Sequence, residues 1–161
     1  MIHDAQYSKK IVFENVSYDA DMAQACMAAY AAELSARLNL TFDLNQSGIG
    51  DVAQLTPPLG TFIIARIDDT PLGCVGIKGK GCSVAEVKRL WIDISARGMG
   101  LAKMLMFHAE LAARDLGITI LRLDTNSKLF EAVKLYESLG WTRIDRFNDD
   151  PYPDVFFEKL L

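Results

Sequence analysis

The sequence predicts an α+β chain built in three layers, a mixed central sheet of about six to seven strands with helices on both faces. Three observations carry this. Between Thr61 and Ile94, strand-like runs follow one another through turns too short for a crossover, so they read as an antiparallel meander. The pattern then runs strand, glycine loop, amphipathic helix, strand, an arrangement that brings the flanking strands side by side in parallel. Two short strand-like runs, about Thr142 to Arg146 and Val155 to Lys159, end the chain.

In order, Ile11 to Val16 is the first strand. Asp19, a residue type that accepts hydrogen bonds from bare helix amides, is the expected N-cap of an alanine-rich helix from Ala20 to Leu38, with Met22, Cys26, Ala29, Leu34 and Leu38 on its apolar side. Asn45, Ser47, Gly48, Gly50 and Pro57-Pro58 then interrupt any long element, leaving one short helical turn at Asp51–Leu55. Phe62–Ile67 and Leu72–Ile77 form a hairpin around Asp68-Asp69-Thr70-Pro71, and Gly79-Lys80-Gly81 turns the chain into a strand from Ser83 to Ile94. A helix from Met99 to Gly117 follows, its inner face drawn as Leu101, Met104, Leu105, His108, Leu111 and Ala112, with Gly117 as its stop. Ile118–Asp124 is a buried strand, and Leu129–Leu139 a helix ended by Gly140.

The 161 residues suit one domain spanning 1–161. Half are apolar, enough for a core without staples, and the net charge of −4 lacks the basic stripe of a nucleic-acid surface. No apolar signal segment opens the chain and no run is long enough for a membrane span, so a cytoplasmic location is expected. Cys26, Cys74 and Cys82 have no metal-ligand or redox spacing; they are expected as free thiols, with Cys74 and Cys82 in strand cores, and no metal site is expected.

The chemistry concentrates in Ala85-Glu86-Val87-Lys88-Arg89-Leu90-Trp91-Ile92 and the loop Arg97-Gly98-Met99-Gly100-Leu101-Ala102. First-turn helix amides lack partners and sit at the positive end of the helix dipole, so this loop is an anion cradle. Gly98 and Gly100 let the backbone approach the anion, and Arg97 adds permanent charge. Lys103 extends the positive surface by one helical turn.

These residues resemble the GCN5-related N-acetyltransferase (GNAT) superfamily. Its coenzyme loop reads Arg/Gln-x-x-Gly-x-Gly/Ala, which Arg97–Ala102 satisfies, and Leu135-Tyr136-Glu137-Ser138-Leu139-Gly140-Trp141 is similar to its Leu-Tyr-x-x-x-Gly-Phe/Tyr. The resemblance implies acetyl-CoA as co-substrate. The amides of Gly98, Met99, Gly100, Leu101 and Ala102 then hold the pyrophosphate, with Arg97 beside it and Lys103 toward the adenosine phosphates, and Leu90, Trp91 and Ile92 lie along the pantetheine arm. It also implies Glu86 as general base, a role that Lys88 on the same strand face works against, and Tyr136 as the acid that meets the leaving sulfur. Similar enzymes often carry Asn or Gln two turns before that tyrosine; Leu129 stands there, with Asn126 as the nearest substitute or as the cap of a turn.

The expected reaction is acetyl transfer to a primary amine of a small molecule or peptide, with Glu33, Arg37 and Phe42 as one acceptor wall and Asn148 and Tyr152 as the other. Asp149 and Asp150 either attract a cationic amine or form a solvated Asp-Pro turn. Two other readings stay open. One is an acyl-CoA-binding sensor without catalysis. The other is a dinucleotide oxidoreductase, suggested by Gly98-x-Gly100 with Asp124 downstream but opposed by Lys103 at the third glycine position. Similar enzymes often form homodimers, though no segment of this chain indicates one.

Overall fold

The computed structural model describes residues 10–40 and 50–161. Its elements are β1 (Val12–Val16), α1 (Asp21–Leu38), α2 (Gly50–Gln54), β2 (Thr61–Ile67), β3 (Thr70–Gly79), β4 (Val84–Ile92), α3 (Leu101–Asp115), β5 (Ile120–Thr125), α4 (Phe130–Ser138), β6 (Thr142–Ile144) and β7 (Val155–Leu160). The strands form one sheet in the order β1-β2-β3-β4-β5-β7-β6, antiparallel throughout except for the β4–β5 pair. Helices cover both faces, as the sequence predicts. α3 and α4 close one core with Val75, Ile77, Leu121, Leu123 and Phe157, while α1 and Leu55 close the other with Phe62, Ile64, Cys74 and Trp91.

The helix ends follow from local chemistry. α3 and α4 both stop in a left-handed glycine, Gly117 at φ +80° and Gly140 at φ +85°. In each, the amide of the residue after the glycine returns to a carbonyl one turn back, Ile118 to Ala113 at 3.0 Å and Trp141 to Tyr136 at 3.1 Å. This closure normally brings the two residues it joins into apolar contact. In α4 it joins Tyr136 to Trp141, ring centroids 6.1 Å apart. The spacing Tyr-x-x-x-Gly-Trp is therefore a helix stop that also fixes where the tyrosine points.

Four expectations need correction. Ala20 and not Asp19 is the N-cap of α1; the Asp19 carboxylate accepts from the Ser17 hydroxyl instead. The inner face of α3 is Leu101, Leu105, Met106, Ala109 and Ala113, so Met104 and Leu111 face outward, because α3 carries a second apolar stripe, Met104, Phe107 and Leu111, that stays exposed. Cys74 is buried in β3, but Cys82 is exposed in the turn before β4. Finally, strand alternation predicts that Glu86, Lys88 and Leu90 share one face; Glu86 and Lys88 do, but Leu90 does not. The register of β4 against β3 shifts between Gly76↔Lys88 and Cys74↔Trp91, leaving one extra residue on β4, and Arg89 takes φ +62°. Such a bulge reverses the in–out alternation. Ala85 and Val87 face the α3–α4 core before it, Leu90 and Ile92 face that core after it, and Trp91 turns into the α1 core.

Candidate active site

β4 and β5 separate soon after they meet. They pair only from Val84↔Ile120 to Glu86↔Arg122, yet β4 runs on to Ile92 and β5 to Thr125. The gap between the diverging strands opens a cavity of about 590 Å³, lined by β4 and β5, by Tyr30, Glu33, Leu34 and Arg37 of α1, and by Leu135 and Tyr136 of α4. Helices from both faces of the sheet thus reach the same space.

One end of the cavity lies at the start of α3. Gly98 and Gly100 have φ of +81° and +76°, and Gly100 is an N-cap without a side-chain hydrogen bond. A Cβ built on either glycine meets nothing within 4 Å, so the loop leaves open space above bare helix amides. Arg97, Gly98, Gly100, Leu101, Ala102 and Lys103 all line the cavity; Met99 points away and is exposed. The Arg97 guanidinium donates to the Ile92 carbonyl at 3.2 Å and pairs with Glu33. Arg37 makes a two-pronged pair with Glu131 at the start of α4, its second contact 3.0 Å. Glu33 and Arg37, placed by the sequence on the acceptor wall, therefore tie α1 across the cavity to the α3 loop and to α4.

The other end is aromatic and charged. Tyr136 is buried among Trp141 and Phe157, with ring centroids 6.1 and 5.8 Å away. Its phenol makes no hydrogen bond to any described residue, and burial together with the Asp124 charge pushes its pKa up, so it stays protonated at neutral pH. Tyr152 lines the cavity and hydrogen-bonds Tyr30, burial raising the pKa of both phenols. Arg89, held left-handed at the bulge, packs over the Tyr18 ring at 5.0 Å and donates to its hydroxyl.

Lys88 stands between two carboxylates, with Nζ 3.2 Å from Glu86 and 3.2 Å from Asp124. Burial works against its charge, but the two carboxylates outweigh that and hold its pKa above the ordinary lysine value. Asp124 lines the cavity and its side chain is 3% exposed; Glu86 is 28% exposed and is not among the lining residues.

The remaining predicted residues have structural partners. Asn148 lies outside the lining and donates to Asp124 at 2.6 Å. Asn126 donates to the Tyr152 carbonyl and accepts from the Lys128 amide, so its side chain secures the loop and a turn instead of facing the cavity. Leu129 lines the cavity as the N-cap of α4. Leu90, Trp91 and Ile92 line it. Asp149 and Asp150 are exposed and outside the lining. Phe42 lies outside the described residues. Tyr30 and Arg89 escaped the sequence reading, as did Asp124 in this setting. Asp124 lies two residues past Arg122, the last β5 residue paired with β4, but only knowledge of where the strands part gives that spacing meaning.

A family model described as the acetyltransferase (GNAT) family matches residues 23–141. An uncharacterized N-acetyltransferase of Schizosaccharomyces pombe is 31% identical over 128 residues, covering 76% of this chain and 77% of its own length. An acetyltransferase of the GNAT family from Staphylococcus aureus has the same fold, with a TM-score of 0.78 at 16% identity over 92% of this chain and 99% of its own. So does the PaiA N-acetyltransferase of Thermoplasma acidophilum, solved in complex with coenzyme A, with a TM-score of 0.73 at 17% identity over 94% of this chain and 99% of its own. The parted strands, the uncapped glycine start of α3 and the matched span lead to one conclusion: the chain belongs to the acetyltransferase (GNAT) family.

Proposed function

We propose that this acetyltransferase moves the acetyl group of acetyl-CoA onto a primary amine of a small molecule or peptide. The observation that carries the reading is the cavity in the β4–β5 gap, with an anion cradle at one end and buried phenols and a carboxylate at the other. The residues fit the coenzyme: the space above Gly98 and Gly100 is open to the depth a Cβ would fill, and the amides of Leu101, Ala102 and Lys103 lack intrahelical acceptors. Acetyl-CoA supplies an activated thioester carbonyl. The chain holds its anionic end at the α3 start and lays Leu90–Ile92 beside its extended arm.

Tyr136 is the hydrogen-bond donor for the leaving sulfur. Its pKa lies above the usual phenol value of about 10, and a thiol titrates near about 8.5. The phenol is thus a weaker acid than the thiol and stabilises the departing sulfur through its hydrogen bond, while the net proton comes from the amine nitrogen. Glu86 reaches the cavity through Lys88 and forms the outer end of a carboxylate–ammonium–carboxylate chain. An acceptor side lined by Tyr30 and Tyr152 favours amines with flat or apolar bodies.

The test is calorimetric titration with acetyl-CoA followed by thiol release across a panel of primary amines, with product mass showing one added acetyl group. Acetyl-CoA-dependent acetylation of at least one amine is expected. Stoichiometric coenzyme binding with no acetyl transfer to any of them would support the sensor reading instead.

A further inference from the structure

Asp124 combines three properties that no other carboxylate among the described cavity residues shares. It sits on β5 beyond the last β4–β5 pair, Glu86↔Arg122, where the strands have parted. Its neighbours Leu121 and Leu123 point into the α3–α4 core, which sends Asp124 to the α1 side, toward Tyr30 and Tyr152. Its side chain is nine-tenths and more buried, 3% exposed. Both of its hydrogen bonds, from Lys88 Nζ at 3.2 Å and from Asn148 Nδ2 at 2.6 Å, go to Oδ2. Oδ1 accepts none from any described residue. It is not sealed in protein either, since Trp141 Nε1 is the single fully enclosed unpartnered side-chain polar atom among the described residues.

A buried carboxylate with one oxygen fixed and the other open to a cavity is a half-filled cation site. Lys88 and Asn148 hold the carboxylate in place without using its second oxygen. Glu86 lacks that arrangement: it lies where β4 and β5 are still paired, and Lys88 stands between it and Asp124.

We infer that Asp124, through Oδ1, binds the ammonium group of the acceptor and takes its proton. The inference rests on the amine-acceptor reading above. In the step, an N–H bond of the ammonium breaks and its proton passes to Asp124 Oδ1, leaving the lone pair on nitrogen. That pair forms the N–C bond at the thioester carbonyl carbon. The C–S bond breaks with its electrons moving to sulfur, and a second nitrogen-bound proton passes to sulfur beside the Tyr136 hydroxyl. The products are the amide, the free thiol and one proton held on Asp124. Lys88, 3.2 Å from Oδ2, holds the carboxylate in place, which makes Lys88 a positioning residue.

The test uses two probes of similar shape, benzylamine, which is protonated at neutral pH, and O-benzylhydroxylamine, which is neutral there and needs no base. With Asp124→Asn, thiol release from acetyl-CoA with benzylamine is expected to fall by a factor of about 100 or more, and with O-benzylhydroxylamine by less than about 5. Glu86→Gln is expected to change the rate with both probes by the same factor, and Asp124→Glu to recover most of the benzylamine rate. A readout free of turnover is calorimetric binding of benzylamine to the protein already loaded with coenzyme A, which should weaken about tenfold or more in Asp124→Asn while coenzyme binding is unchanged. If Asp124→Asn does not fold, Asp124→Ser takes its place beside Asp124→Glu with the same readouts. Equal losses on both probes, or the probe-dependent loss appearing in Glu86→Gln, would overturn the assignment while leaving acetyl transfer intact. A wild type that binds coenzyme A and acetylates no amine of the panel, the two probes included, would overturn the amine reading, and this assignment with it.

Discussion

Replacing Tyr136 by Phe separates chemistry from packing. The ring is buried against Trp141 and Phe157, but the hydroxyl makes no hydrogen bond to a described residue. An intramolecular hydrogen bond contributes about 0.5–1.5 kcal/mol net, and here none is lost. At about 2–4 °C per kcal/mol for a chain of this size, the melting temperature should move by less than about 2 °C. Tyr136→Ala, which empties the ring's place, should cost about 3–5 kcal/mol and lower it by about 6–20 °C. Loss of the donor at the sulfur should reduce kcat by a factor of about 100 to 10,000, with coenzyme affinity unchanged. Thiol-release kinetics, calorimetry with coenzyme A and a thermal melt measure the three quantities on one preparation. A Phe variant that melts several degrees lower and binds coenzyme A poorly would show that the hydroxyl supports the fold, and unchanged kcat would remove it from the reaction.

Glu33→Gln should tighten coenzyme A binding, because Arg97 must leave Glu33 to meet an anion at the α3 start; an exposed pair of this kind contributes about 0.2–1 kcal/mol, a gain of up to about fivefold by calorimetry. At the bulge, where Arg89 has φ +62°, Gly should be tolerated better than Val in urea unfolding, reversing the usual strand preference, since a left-handed residue costs about 1–2 kcal/mol unless it is glycine; a Val variant more stable than the Gly variant would count against the bulge. Stability should fall in acid. Hydrogen bonds from Ser127 hold Asp154, and those from Arg37 hold Glu131, below their ordinary pKa values, so their contributions are complete above the unfolded values near about 4 and are lost as pH falls through the folded ones. Asp154→Asn should flatten that acid limb in melts recorded from neutral pH downward, and an unchanged limb would mean other groups set it.

The sequence made the order and pairing of elements legible because each boundary had a local cause. Gly117 and Gly140 mark helix ends that the chain closes with its own backbone, and Asp68-Asp69 bounds a hairpin. The misjudged details are those set by tertiary contacts. α3 could be drawn with either of two faces inward, because Met104, Phe107 and Leu111 continue an apolar stripe that remains exposed. Asp19 has the chemistry of a cap, but it stands one residue before the N-cap and its carboxylate is taken by Ser17.

The site shows the same division more sharply. Its coenzyme end depends on a contiguous run, Arg97 to Lys103, whose backbone conformation is set by its own glycines, and such a run can be read as text. The acceptor end depends on one left-handed residue. Nothing in Lys88-Arg89-Leu90 announces a bulge, yet that extra residue turns Leu90 onto the face opposite Lys88 and lets β4 diverge from β5. Without it, strict alternation would place Leu90 beside Glu86 and Lys88 on the charged side. With it, Leu90 and Ile92 pack toward α3, while Lys88 stays on the α1 side within 3.2 Å of a carboxylate from another strand. Glu86 stands out in the sequence because it belongs to a motif. Asp124 does not, because its importance comes from a gap between strands and not from its neighbours in the chain.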